Sequence, residues 1–155
     1  MMDPPKVLLE LSFLRAVHDI GHDQHEQSVT EYLRLVSLYQ REEVLLVAVS
    51  DHVQDFPGVD NPLRQIGVRR RGVFAPVDFL WVGFQHRRAA RRAAETHELD
   101  EAVALALTMA QRHRIQQVAT LDPRFEQFDL TLLPARAIEP DAGDADGVIT
   151  DVLDG

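Results

Sequence analysis

Ile115-Gln-Gln-Val-Ala-Thr-Leu-Asp122-Pro-Arg-Phe125 is an apolar run that ends abruptly on a carboxylate. It reads as a buried parallel strand bringing an acid to its C-terminal tip, the edge at which open α/β sheets keep their chemistry. Just beyond it, Leu130 to Leu133 is a second short strand pattern, closed by Pro134. Just before it, Leu99-Asp100-Glu101 opens a helix, since acids at a helix start meet the positive end of the backbone dipole. Ala102, Leu105, Ala106 and Met109 then form a small-residue face suited to close packing on a sheet.

The same pattern of apolar run and acid occurs near the N-terminus. Val7-Leu-Leu-Glu10-Leu-Ser12-Phe-Leu14 reads as a first strand that carries a carboxylate into a short helix. Apolar residues three and four apart from Gln24 to Gln40 predict an amphipathic helix with Asp23 as its N-cap. Val44 to Val49 is a strand-length apolar run that stops at Ser50-Asp51. Phe56 to Pro62, with two prolines and a glycine, predicts a loop. Val73 to Val82 is a strand pattern whose Pro76 suits a sheet edge or a strand start, and His86 to Ala94 is a helix pattern. Alternation of strand and helix implies an α/β fold: a three-layer α/β/α sandwich on a central, mainly parallel sheet of four to five strands.

The chain has 155 residues, 45% of them apolar, enough for one core. The expected organisation is one domain over residues 1–136 and an acidic, flexible tail over residues 137–155, within which Val148 to Thr150 is a candidate ordered element. With no cysteine, disulfides and thiolate metal sites are excluded. The first apolar run is too short and too soon interrupted by Glu10 for a signal peptide, and no run nears the ~20 residues that span a bilayer. The expected location is the cytoplasm. Charge is segregated: the formal net charge is -9, yet the tail holds six acids and no base. Eight of the sixteen basic residues fall between Arg64 and Arg92. That segregation points either to a polyanion partner or to a solvated basic face.

Acids from distant segments are expected to meet. In a parallel sheet, Glu10, Asp55 or Asp51, Asp100 or Glu101, and Asp122 approach one C-terminal edge, where their repulsion is relieved by protonation or by a hard cation such as Mg2+ or Mn2+. His18, His22 and His25, interleaved with Asp19, Asp23 and Glu26, also allow a zinc reading, but the spacing matches no standard motif, and capping is preferred. A receiver-like phosphate-handling domain ranks last, because Lys6 is the only lysine.

Val7-Leu-Leu-Glu-Leu-Ser-Phe-Leu14 and Val118-Ala-Thr-Leu-Asp-Pro-Arg-Phe125, with Leu132-Leu-Pro134 behind, resemble the opening and closing motifs of the PIN domain family, in particular the VapC-type toxin ribonucleases. His25-Glu26 and Ser50-Asp-His-Val53 are similar to weaker motifs of that family. The resemblance implies a metal-dependent endoribonuclease, a hydrolase of single-stranded RNA, acting as the toxin of a toxin–antitoxin pair. It implies catalytic acids at Glu10, Asp55, Asp100 and Asp122, with Mg2+ or Mn2+ held by Glu10, Asp100 and Asp122. Ser12, Asp51 and Glu101 are supporting candidates, and Arg69, Arg70, Arg71, Arg87 and Arg88 are candidates for RNA contact. The partners it implies are RNA, an antitoxin whose Arg or Lys enters the acidic site, and a second copy in a homodimer. Glu10 stands where the family has Asp, and Arg124 where many relatives place a further Asp. The alternative is therefore a catalytically degenerate PIN-like module that binds RNA or a protein without cutting.

Overall fold

Apolar runs of strand length that alternate with helical periods must bury both faces of a sheet, and they do so here. A computed structural model describes residues 3–53 and 77–135. The five strands are β1 (Lys6–Leu9), β2 (Leu45–Val49), β3 (Asp78–Leu80), β4 (Gln117–Ala119) and β5 (Thr131–Leu133). They form one sheet in the order β3-β2-β1-β4-β5, and every neighbouring pair is parallel. The helices are α1 (Leu11–His18), α2 (His25–Gln40), α3 (Ser50–Val53), α4 (Phe84–His97) and α5 (Glu101–Arg112). A 3-10 turn covers Pro123–Gln127.

Side chains alternate across the central strands and divide the core in two. Leu8, Val47, Val49 and Val118 pack with Val103, Leu107 and Met109 of α5 and with Phe125. Val7, Leu9, Leu46 and Ala48 pack with Phe13 and Val17 of α1 and with Tyr32, Leu35 and Val36 of α2. The result is the expected three-layer α/β/α sandwich. β1 is the middle strand, so Val7, Leu8 and Leu9 are fully buried. Each such side chain contributes roughly 1.5–3 kcal/mol of apolar transfer free energy. Pairing Leu9 with Ala119 aligns the ends of β1 and β4, and Glu10 and the Thr120-Leu-Asp122 segment leave the sheet side by side. This register builds the site.

Three local expectations are corrected. Asp23 is not the cap of α2: Gln24 holds that position, because the turns that bond His22 to Asp19 and His25 to His22 carry the chain one residue further before the helix begins. Helix α5 is buried on all sides from Val103 to Ala110 rather than on one small-residue face, because it sits among the sheet, α4 and the 3-10 turn. The third strand is shorter than its pattern, Asp78–Leu80 at the sheet edge, with residues 73–76 outside the described residues. The predicted loop at Phe56 to Pro62 and the predicted acidic tail, with its Val148 to Thr150 element, also lie outside them.

Candidate active site

The C-terminal edge of β1 and β4 gathers three acids, and each is fixed by the start of the helical segment that follows it. Glu10 is the N-cap of α1, accepting from the Ser12 amide at 3.0 Å. Asp100 is the N-cap of α5, accepting from the Val103 amide at 3.0 Å. Asp122 caps the 3-10 turn, accepting from the Arg124 amide at 2.9 Å, with Pro123 in the first position, where no amide is required.

Glu10 is buried, with 2% of its surface exposed. Its Oε1 also accepts from the Ser12 hydroxyl at 2.5 Å and from the Thr120 hydroxyl at 2.6 Å. Those hydroxyl oxygens accept in turn from the backbone: Ser12 Oγ from the Leu121 amide at 2.9 Å, and Thr120 Oγ1 from the Asp122 amide at 3.0 Å. Two parallel relays, amide to hydroxyl to carboxylate, thus tie the tip of β4 to the tip of β1. Burial pushes the Glu10 carboxyl above its ordinary range; the Ser12 and Thr120 hydrogen bonds oppose this, and the neighbouring charge of Asp122 adds to it.

Asp122 and Asp100 meet through a cation. Arg124 donates from Nε to Asp122 Oδ1 at 3.0 Å and from Nη2 to Asp122 Oδ2 at 2.7 Å, a two-pronged grip. The same Nη2 lies 2.9 Å from Asp100 Oδ2. Hydrogen bonds to Asp122 foremost, joined by that to Asp100, hold the guanidinium above its ordinary range.

The other candidates do not join this group. Asp51 pairs with Arg87 at 2.7 Å, and both line a cavity of about 460 Å³ with His52, Arg91, Glu101 and Leu105, between α3, α4 and α5. Arg88 is exposed and lies over the ring of Phe84, 5.8 Å from its centroid. Asp55, Arg69, Arg70 and Arg71 lie outside the described residues. In the histidine cluster, His25 Nδ1 bonds the Ala16 carbonyl and His22 Nδ1 accepts from the Gln24 amide, so both rings serve the backbone. Thr120 is a site residue that no motif marks in the sequence. Its signal was a hydroxyl set between Ala119 and Leu121 in an otherwise apolar run beside an acid.

Three carboxylates are the donors a hard divalent ion takes, yet in this arrangement they do not fit one. Glu10 turns Oε1 to three hydrogen bonds, and Arg124 spans Asp100 and Asp122. Among the described residues, no three His, Asp or Glu side chains are grouped to hold a metal.

No protein-family model matches this sequence, and no curated protein matches it. Among solved structures it is similar to Mycobacterium tuberculosis VapC20, a Sarcin-Ricin loop cleaving toxin. The TM-score is 0.57 at 13% identity, and the match covers 80% of this chain and 98% of that one. At that identity the likeness is one of architecture: the chain has a PIN-like fold, shared with that structure. No helix among the described residues is long and apolar enough to cross a membrane.

Proposed function

We propose that this protein is a toxin-type endoribonuclease that hydrolyses single-stranded RNA at the edge carrying Glu10, Asp100 and Asp122. The observation that carries the reading is the gathering of three acids from distant segments at the C-terminal edge of a PIN-like fold. The similar solved structure is itself a Sarcin-Ricin loop cleaving toxin. In this reading Arg87 and Arg88, with Arg69, Arg70 and Arg71, draw the phosphate backbone in a salt-dependent, sequence-independent way. Ser12 positions Glu10, while Asp51 and Glu101 border the neighbouring cavity and Asp55 is a further candidate acid. Mg2+ or Mn2+ is the ion the reading requires, and its partners are RNA, a cognate antitoxin and a second copy in a homodimer, in the cytoplasm.

A second reading, a PIN-like module that binds RNA without cutting it, is favoured by one specific observation: Arg124 spans two of the three acids. Incubating the full chain with single-stranded RNA and Mn2+ or Mg2+ separates the two. Cleavage that chelation stops and Asp122→Asn abolishes is the expected result. Cleavage that survives chelation contradicts the ribonuclease reading as stated, and retention of RNA without turnover favours the module.

A further inference from the structure

Among the described residues the large apolar side chains that stand in water are Ile20, Trp81 and Phe84. A lone one such as Ile20 is ordinary, but Trp81 (69% exposed) and Phe84 (72% exposed) are only three positions apart. Trp81 is where the chain leaves β3, directly after the buried Leu80, and Phe84 is the first residue of α4. The Trp81 ring meets Phe79 edge to face, with centroids 5.8 Å apart, a contact that steadies the indole and leaves most of its surface open.

The charge around these rings is positive. Residues 78–97 carry Arg87, Arg88, Arg91 and Arg92, all exposed, against Asp78 and Glu95. Arg88, one helical turn beyond Phe84, sets its guanidinium 5.8 Å from the centroid of that ring, and Arg87 is engaged with Asp51. A purely apolar partner would bury these charges without compensation. A single-stranded nucleic acid answers both features, since its bases offer faces to aromatic rings and its phosphates meet the guanidinium groups. All five strands are parallel, so Trp81 leaves the sheet at the same C-terminal edge as Glu10, with β3 roughly 10 Å from β1 across β2.

We infer that Trp81 and Phe84 form a stacking platform for unpaired bases of RNA, beside the arginine face of α4. This deepens the RNA reading, on which it rests, by naming the residues that take hold of bases rather than phosphates.

Trp81 is the chain's single tryptophan, so it reports on its own site. The test is titration of the full chain, with EDTA present to stop metal-dependent cleavage, by oligo(A), oligo(U) and an abasic sugar-phosphate oligomer, each about 12 nucleotides long. Oligo(A) is expected to quench Trp81 emission strongly, oligo(U) less, and the abasic chain hardly at all. Trp81→Ala is expected to weaken oligo(A) binding, followed by fluorescence anisotropy of a labelled strand, about tenfold with an unchanged salt slope, and Trp81→Phe to retain most of the affinity. Equal quenching by the abasic chain and oligo(A) overturns the platform, a comparison that needs no variant to fold. Unchanged oligo(A) affinity in Trp81→Ala also overturns it. A blue shift of Trp81 emission with protein concentration alone assigns the patch to a second copy and overturns it too. RNA cleavage by a chain whose Trp81 emission ignores RNA removes the platform and leaves the ribonuclease reading in place. Base-dependent quenching without cleavage in Mn2+ or Mg2+ upholds the platform and removes that reading in favour of the module.

Discussion

The Thr120 hydroxyl stands 2.6 Å from Glu10 Oε1, a bond that spans 110 positions of sequence and joins the tips of two neighbouring strands. Thr120 is fully buried, and its oxygen also accepts the Asp122 amide. Thr120→Val keeps the shape and removes both bonds, leaving a buried carboxylate and an amide short of partners. Thermal or urea denaturation is expected to show a loss of about 1–3 kcal/mol. A loss well under 1 kcal/mol would mean that the Ser12 relay alone satisfies Glu10.

Asp100 separates capping from chemistry. Asn caps a helix as well as Asp does, whereas Ala does not, so Asp100→Ala is expected to cost about 1 kcal/mol and Asp100→Asn only a few tenths. Both variants remove the second anchor of Arg124, and under the ribonuclease reading both lose RNA cleavage. If the Asn variant melts as low as the Ala variant, the bond from the Val103 amide to Asp100 Oδ1 is not what holds the start of α5.

Tyr32 gives a pH dependence in the core. Its hydroxyl is buried and finds no hydrogen-bond partner among the described residues, and burial pushes its pKa from 10.0 up to about 12. Between those two values the unfolded chain gives up the phenolic proton while the folded chain keeps it. The unfolded state then binds fewer protons, and stability falls as pH rises through that window. Tyr32→Phe is expected to equal or exceed the parent by up to about 1 kcal/mol at neutral pH and to lack this alkaline loss. Denaturant midpoints from pH 8 to pH 11 provide the check.

Arg87 has a surface role. Its pair with Asp51 is half exposed, so Arg87→Ala is expected to change stability by less than about 1 kcal/mol. If Arg87 meets the RNA backbone, fluorescence titrations at several salt concentrations will show weaker binding and a log-log salt slope smaller by about 1. An unchanged slope would assign Arg87 to Asp51 and its cavity alone.

The sheet was legible because the signals are local. All but β3 are short, mainly apolar runs ended by a polar or turn residue, and Glu10 and Asp122 follow the neighbouring strands β1 and β4 in the sequence as they do in space. The capping role of Asp100 was legible for the same reason: an acid precedes a strongly apolar helix. The use that the fold makes of those acids was not legible. Whether Arg124 reaches Asp100 depends on where the start of α5 lands beside the 3-10 turn, a distance set by packing around Phe125 and Val103. Asp51 pairs with Arg87, 36 positions away, because α3 and α4 border one cavity, which no local pattern encodes. Asp23 lost the cap of α2 because two successive turns shifted the helix start by one residue.

Glu10, Asp100 and Asp122 each close the first turn of a helical segment. Selection for a folded chain is by itself enough to keep a capping side chain at all three positions, acid or amide. A lineage that stopped cutting RNA would still need those caps, and any acids it retained would look armed. Position 124 differs, because a change of its side chain leaves every cap in place and alters what stands between the carboxylates.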